Sequence, residues 1–285
     1  MSLAPCRLAR VCDTDLPLPA LQPLAEAVFG AETRAPGWFV RKLAREAVDP
    51  RRSFLAFGTG DAPIGYVLLG DEPGENMAHS AGLGVLLEHR GRGVGSALIE
   101  HAVAALRGAM PVLQILAEPP RRRFYERLGF VAARVCHTLQ SAARGTASLD
   151  LREQPPVAWA LPGHAIAGWR AGTWSRTPSA EAATLSLLDG AAWVHVSREN
   201  RAILVQRMCV ADGSSTEILA RTHAALDELR GRFVRGTAIL LYGCEAVSCV
   251  TASLLHGDTW RVVQTALEMR RAIGEGVDKQ ARPTA

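Results

Sequence analysis

Long apolar runs, paired cysteines and lysine-rich tracts are all missing from this chain of 285 residues, and each absence removes a class of function. No apolar stretch approaches the roughly eighteen residues that a membrane-spanning helix requires, so no membrane partner is expected. The opening residues Met1-Ser2-Leu3-Ala4-Pro5-Cys6-Arg7 hold no continuous apolar core before Asp13 and Asp15 interrupt them, which places the expected location in the cytoplasm. The cysteines, at positions 6, 12, 136, 209, 244 and 249, are scattered without a repeated close pair. That spacing excludes a small disulfide framework, and reduced thiols are expected. Cys244 and Cys249 lack a second pair of His or Cys at finger spacing, so no metal is assigned. The net charge of +4 is modest and almost all its positive part is arginine, which is no nucleic-acid signature. At this length two domains of ordinary size are expected.

What the chain does have is a glycine-rich loop. The apolar stretch Leu83 to Leu87 runs into Arg90-Gly91-Arg92-Gly93-Val94-Gly95-Ser96, and helical residues Ala97 to Leu106 follow. The pattern reads as strand, tight loop and helix. Glycine permits positive φ and a close backbone approach, and N–H groups at a helix N-terminus then point at an anion. Three glycines near a helix start also occur in ordinary turns. A Walker loop would need Lys and Ser or Thr after the last glycine, and here Ser96-Ala97 follow Gly95. A Rossmann loop would follow the first strand of its unit, whereas these glycines sit mid-domain, although Glu118 lies near the expected acidic position.

A second segment lies downstream. After the β-like residues Val112 to Leu116 comes Arg123-Phe124-Tyr125-Glu126-Arg127-Leu128-Gly129-Phe130. The loop with Arg90, Gly93 and Gly95 resembles the acyl-CoA loop of the GNAT superfamily of N-acyltransferases, and Phe124-Tyr125 with Gly129-Phe130 resembles that family's Phe-Tyr-x-x-x-Gly-Phe element. The resemblance implies an α/β (α+β) fold: a mixed, mostly antiparallel central sheet flanked by helices, of acyl-CoA N-acyltransferase type. It implies acetyl-CoA as acyl donor, with Arg90, Gly91, Arg92, Gly93, Val94, Gly95 and Ser96 around the pyrophosphate. Strand residues Leu83, Gly84 and Val85 would hold the pantetheine, and Phe124 would lie beside it. Tyr125 inherits the role of general acid toward the leaving thiolate. The spacing of Phe124, Tyr125, Leu128 and Phe130 equally suits the buried face of a helix. Where the family often carries Asn, this chain has Glu118 before Pro119-Pro120, and a carboxylate cannot donate an amide hydrogen bond. The arginines at 121, 122, 123 and 127 suit phosphates, Arg121 first among them, while a solvated helix face also accounts for Arg122 and Arg127.

Helices are expected at Leu16 to Phe29 and Trp38 to Ala47, and the resemblance lays them over an acceptor groove that Phe29, Trp38 and Phe39 could line. Strands are expected at Ser53 to Gly58 and Ile64 to Leu69. At the start of the strand that ends at the glycine loop stands His79, six residues before Val85. The resemblance implies, near this point, a Glu or His that accepts the amine proton through water; His79 is the candidate base, with Glu75 and Glu88 as weaker alternatives. Capping of a strand end accounts for the same histidine.

Beyond Asp150 the composition shifts. Gln154-Pro155-Pro156 and Leu161-Pro162-Gly163-His164 read as a linker, dividing 1–152 from 153–285. Ala202 to Ala211, Ile218 to Leu229, Ala238 to Tyr242, Ala246 to Leu255 and Trp260 to Met269 then repeat the order strand, helix, strand, helix, strand. Val210 would match Val85, but Asp212-Gly213-Ser214-Ser215-Thr216 has lost the loop's arginine and two of its glycines, and no tyrosine falls where Tyr125 would be repeated. The chain therefore resembles a tandem GNAT protein with a degenerate second repeat, in which Asp189, Trp193, His195 and Glu199 are possible acceptor contacts. The expected function is an acetyl-CoA-dependent N-acetyltransferase acting on a small-molecule or peptide amine. The alternative is a non-catalytic acyl-CoA-binding regulatory or scaffold protein.

Overall fold

The computed structural model describes residues 6–30, 36–71, 76–147, 149–151, 163–168, 182–199 and 202–274. Glu75 and the Gln154-Pro155-Pro156 stretch lie outside the described residues. In chain order the first half comprises strand β1 (Arg7–Arg10), helices α1 (Gln22–Phe29) and α2 (Trp38–Arg45), and strands β2 (Phe54–Phe57), β3 (Pro63–Asp71) and β4 (Ala78–Val85). Helix α3 (Val94–Leu106), strand β5 (Val112–Ala117), helix α4 (Arg122–Glu126) and strand β6 (Val131–Ala142) complete it. The second half comprises β7 (His164–Gly168), β8 (Ala182–Leu187), β9 (Ala192–Glu199), β10 (Ala202–Val210), α5 (Ser215–Gly231), β11 (Ala238–Glu245), α6 (Cys249–Leu255) and β12 (Arg261–Ala272).

The strands form one sheet in the order β1-β2-β3-β4-β5-β12-β6-β11-β10-β9-β8, with β7 paired to β10. Neighbours are antiparallel except β4 with β5 and β10 with β11. Each parallel pair needs a crossover, and α3 and α5 supply it. Helix α3 presents Val94, Leu98, Ile99, Ala102, Val103 and Leu106 on one face, the spacing of a helix laid against a sheet. They join Val67, Leu69, Leu113 and Ile115 in a core on one side of the first half-sheet. On the other side α1 and α2 bury Leu24, Trp38, Phe39 and Leu43 against Leu55, Tyr66 and Leu68. Trp38 and Phe39 are thus core, whereas Phe29 is 47% exposed at the end of α1. A third core lies between α5, α6 and strands β8 to β11.

The expected helix from Leu16 is shorter in the structure. Pro17, Pro19 and Pro23 lack N–H donors, and a 3-10 turn at Leu18–Leu21 precedes the α-helix. The strand with His79 expected at its start begins at Ala78 and stops at Val85, short of Leu87, because Leu87–His89 winds into another 3-10 turn.

The order of elements in β4-α3-β5-α4-β6 recurs in β10-α5-β11-α6-β12, and the last strands of the two sets are exchanged. β12 lies between β5 and β6, pairing Leu267 with Ala117 and with Val135. β6 correspondingly lies between β12 and β11, pairing Leu139 with Leu241. Leu267, Met269 and Ile273 belong to the first-half core although they come from the end of the chain.

Glu268 on the exchanged strand is 0% exposed, with Arg134 Nε 2.5 Å from one carboxylate oxygen and Arg270 Nη2 2.6 Å from the other. Burial alone raises its carboxyl pKa, but hydrogen bonds from Arg134, Gln114 and Arg270 outweigh that and hold it below the ordinary 4.5. A depressed pKa contributes stability that is present above the unfolded value and lost as pH falls through the folded one. Wild-type unfolding free energy should therefore drop below about pH 4.5. Glu268→Gln should lose about 3 kcal/mol at neutral pH, near the low end for a broken buried pair because both arginines can rehydrate. The variant should also show a shallower acid decline in denaturant melts; an unchanged acid slope would remove Glu268 from that account.

Candidate functional site

Strands β4 and β5 pair only at Ala78 with Leu113 and His79 with Gln114. Just beyond, the register of β4 against β3 slips from Leu69 opposite Ser80 to Leu68 opposite Gly82, leaving Ala81 as a bulge. A bulge bends and twists its strand. β4 and β5 part there, and among the described residues no strand pairs the β5-facing edge of β4 from Ser80 to Val85. Leu83, Val85 and Phe124 are half-buried against the α3-side core beside this V-shaped gap. Gly84 faces the opposite side, where a Cβ would stand 2.9 Å from Val28 and 3.1 Å from the Tyr66 ring.

The gap leads to the glycine loop. Arg90 Nε donates to the Val85 carbonyl at 2.9 Å and so ties the loop to the end of β4. Gly91 and Gly93 have φ of 75° and 82°, a conformation that side chains resist, and Gly93 is the N-cap of α3. No side chain caps this helix. The N–H groups of Val94, Gly95 and Ser96 in its first turn lack intrahelical acceptors and carry the positive end of the helix dipole. Gly95 brings that turn to within van der Waals distance of Phe124, with a built Cβ 3.5 Å from the ring. This cradle is made of backbone donors, suited to a phosphate-bearing ligand, with exposed Arg92 beside it.

Tyr125 on α4 is 7% exposed. The rings of Phe124 and Phe130 stand edge-on to it at 4.9 and 5.7 Å. Burial is the main reason its hydroxyl pKa is pushed up to about 12; Arg121 pulls it down and Glu118 adds to the rise. The phenol therefore keeps its proton across the working range. Glu118 and Arg121, both more than half exposed, form an ion pair at 3.5 Å, and Arg122 pairs with Glu126 at 2.6 Å.

His79 lies on the face of β4 toward α2. It is 1% exposed, and its Nε2 stands 3.0 Å from the Glu46 carbonyl oxygen and 3.2 Å from the Glu46 carboxylate. Gly70 makes that contact possible, since a Cβ there would lie 1.9 Å from the Glu46 carbonyl oxygen and 2.9 Å from His79 Nε2. The structure thus places His79 and Tyr125 on opposite faces of the half-sheet. Neither Glu46 nor Gly70 carries a motif that marks it in the sequence. Glu88 lies exposed in the turn before the glycine loop.

The second half reaches α2 through Glu199, which pairs with Arg45 at 2.9 Å and Arg41 at 3.3 Å. Of the other residues there, His195 is buried, with its pKa lowered to about 3 by burial and by Arg207, and so is neutral. Asp189 sits in a left-handed turn at φ 52°. Among the described residues no helix is long and apolar enough to cross a membrane, and no cluster of His, Cys, Asp or Glu is arranged to hold a metal.

A splayed parallel strand pair, a bulge beside it and an uncapped glycine-rich helix start define the acyl-CoA N-acyltransferase class of fold. Residues 50–132 match the family model described as acetyltransferase (GNAT) domain. The fold is similar to that of a proposed acetyltransferase from Pyrococcus horikoshii (TM-score 0.62, 16% identity, 96% of this chain and 91% of that one). It is also similar to a GCN5-related N-acetyltransferase from Sphaerobacter thermophilus (TM-score 0.58, 16% identity, 96% of each chain). A tandem GNAT protein from the clavulanic acid biosynthesis pathway matches at TM-score 0.56 and 17% identity over 95% of this chain and 99% of that one. No curated protein sequence matches the chain.

Proposed function

We propose that the chain transfers an acetyl group from acetyl-CoA to a primary amine by direct attack on the thioester. The observation that carries this reading is the open β4 edge running into an uncapped, glycine-rich helix N-terminus. The backbone of Leu83, Gly84 and Val85 would pair with the pantetheine amides. N–H groups from Gly91 to Ser96 would hold the pyrophosphate, with Arg90, Arg92 and Arg121 adding charge at the rim and Phe124 walling the gap. The amine enters from the α1 and α2 face. A primary ammonium has a pKa near 10.4 and must lose a proton before it attacks. His79 would accept that proton through water, held by Glu46. The amine lone pair then forms the C–N bond, the C–S bond breaks, and Tyr125 protonates the departing sulfur. Catalysis is chiefly positioning. The chain divides at 152/153 in this reading, with the two last strands exchanged.

One observation supports the second reading, a regulator that binds acyl-CoA without turnover: His79 is 1% exposed beneath α2. Acetyl-CoA binding with no thiol released across a panel of amines would favour it.

Calorimetric titration of acetyl-CoA into wild type, Gly93→Asp and Gly93→Asn tests the cofactor site. Both side chains tolerate the left-handed conformation at a cost of about 1 kcal/mol, so the comparison isolates charge. A carboxylate a few ångströms from a phosphate near the surface costs about 2–4 kcal/mol. Gly93→Asp should bind roughly 30-fold or more weakly, and Gly93→Asn should stay within several-fold of wild type. Equal losses in the two variants would detach the phosphate site from this loop.

A further inference from the structure

The second half repeats the splayed parallel pair, and there the gap is filled by the chain itself. β9 covers one edge of β10 over its full length, from Ala202 opposite Glu199 to Val210 opposite Ala192. β11 covers the other edge only from Ala202 to Val205. On that second edge β7 takes over, antiparallel, with Gly168 opposite Arg207, Ala167 opposite Met208, Ala165 opposite Cys209 and His164 opposite Val210. The corresponding edge of β4 is the one left open. Gly163 admits the strand: its φ is 90°, and a Cβ there would lie 2.1 Å from the Val210 carbonyl oxygen.

The helix start is filled as well. Where α3 is uncapped, α5 has a complete capping box: Ser214 Oγ accepts from the Glu217 N–H at 3.4 Å, and Glu217 Oε2 accepts from the Ser214 N–H at 2.8 Å. Arg221 donates to the carbonyl oxygens of Ala211 and Asp212 at 3.0 and 2.9 Å. Gly213 makes room for both side chains, since a Cβ there would meet Arg221 at 2.6 Å and Glu217 at 2.9 Å.

We propose that the second half is a self-occupied copy of the acyl-CoA cleft, with β7 in the place of the pantetheine and the Glu217 carboxylate in the place of the diphosphate, so that the chain binds one acyl-CoA. The assignment of places rests on the function proposed for the first half. An extended segment donates and accepts along a strand edge as a pantetheine arm does, and a carboxylate satisfies helix N-terminal donors as a phosphate does. The occupant is tethered, so an incoming acyl-CoA competes with an effective concentration in the millimolar range and meets a like charge at the helix start. The self-filled cleft gives the second half a rigid sheet from which β12 extends into the first.

Hydrogen exchange on the full chain, with and without saturating acetyl-CoA, together with calorimetric stoichiometry, tests this. Amides of β7 and of Arg207 to Val210 should exchange about a hundredfold or more slowly than unstructured peptide before any ligand is added. Acetyl-CoA should slow Gly82 to Val85 and the Gly91 to Ser96 loop, leave β7 and β10 unchanged, and bind with a stoichiometry of one. Fast exchange of β7 in the free protein, altered exchange of β7 or β10 on adding acetyl-CoA, or a stoichiometry of two would each overturn the proposal. A protected β7 in a protein that binds no acetyl-CoA would uphold the filled cleft while sinking the function proposed for the first half.

Discussion

A chain ending at Thr259, without β12, is expected to lose cooperative folding of the first half as well as of the second. β12 is hydrogen-bonded on both sides, to β5 from Leu267 to Ala272 and to β6 from Arg261 to Arg270. Its removal strips a ladder from two strands at once and turns both into bare edges, which invite aggregation. It also removes Leu267, Met269 and Ile273 from the first-half core, where their exposures are 8, 0 and 8%. Each such side chain contributes roughly 1.5–3 kcal/mol by burial. Together they approach the whole stability of an ordinary domain, about 5–15 kcal/mol. The second half loses Trp260, which packs in its own core. Far-ultraviolet circular dichroism on heating, with a dye that reports exposed apolar surface, should show a broad transition and strong dye binding for the truncated chain. A sharp melt with retained acetyl-CoA binding would mean that β5 and β6 close without the exchanged strand. Residues 1–152 alone should fail for the same reason.

This exchange was not legible in the sequence, although its components were. Trp260 to Met269 reads as a strand from its residues, and β12 spans Arg261–Ala272. Alternation along a strand reports a buried face, and that face looks the same whichever neighbour supplies the hydrogen bonds. Nothing in the local sequence marks Glu268, Arg134 and Gln114 as partners, and only the sheet order brings them together in the interior. The glycine loop was visible because its constraint is local: positive φ at Gly91 and Gly93 needs no tertiary knowledge. The start of α3 at Val94 rather than Ala97 escaped because Gly95 is a poor helix former and packs its turn against Phe124 instead. The start of β4 was legible to within a residue, since His79 reads as the start of that strand and β4 begins at Ala78; the bulge at Ala81 was not. β7 begins at His164, the last residue of the linker-like stretch Leu161-Pro162-Gly163-His164, and does not stand out as a strand; five residues of small and mixed character carry no strand signal until β10 offers them an edge. Glu46 follows the last turn of α2 as one charged residue among several, and its contact with His79 depends on the absent Cβ of Gly70.

Tyr125→Phe should lower turnover by two to four orders of magnitude, about the range for a positioned general acid, while the acetyl-CoA dissociation constant changes less than about threefold. The substitution removes one oxygen from a ring already packed edge-on between Phe124 and Phe130, so the core that positions α4 is preserved. A hydroxyl pushed up to about 12 by burial remains protonated at every pH at which the protein is stable. Tyr125 should therefore supply no limb to the wild-type pH–rate profile. A thiolate in the same apolar surroundings is also desolvated, so its proton affinity rises from the ordinary thiol range toward that of the phenol. In the proposed mechanism that match would let a weak acid assist C–S cleavage. Steady-state kcat with an active amine, acetyl-CoA calorimetry and thermal melts on the same preparations separate the possibilities. An equal loss in kcat and in acetyl-CoA affinity would make Tyr125 a packing residue of the gap, and an unchanged kcat would leave the sulfur to be protonated by water.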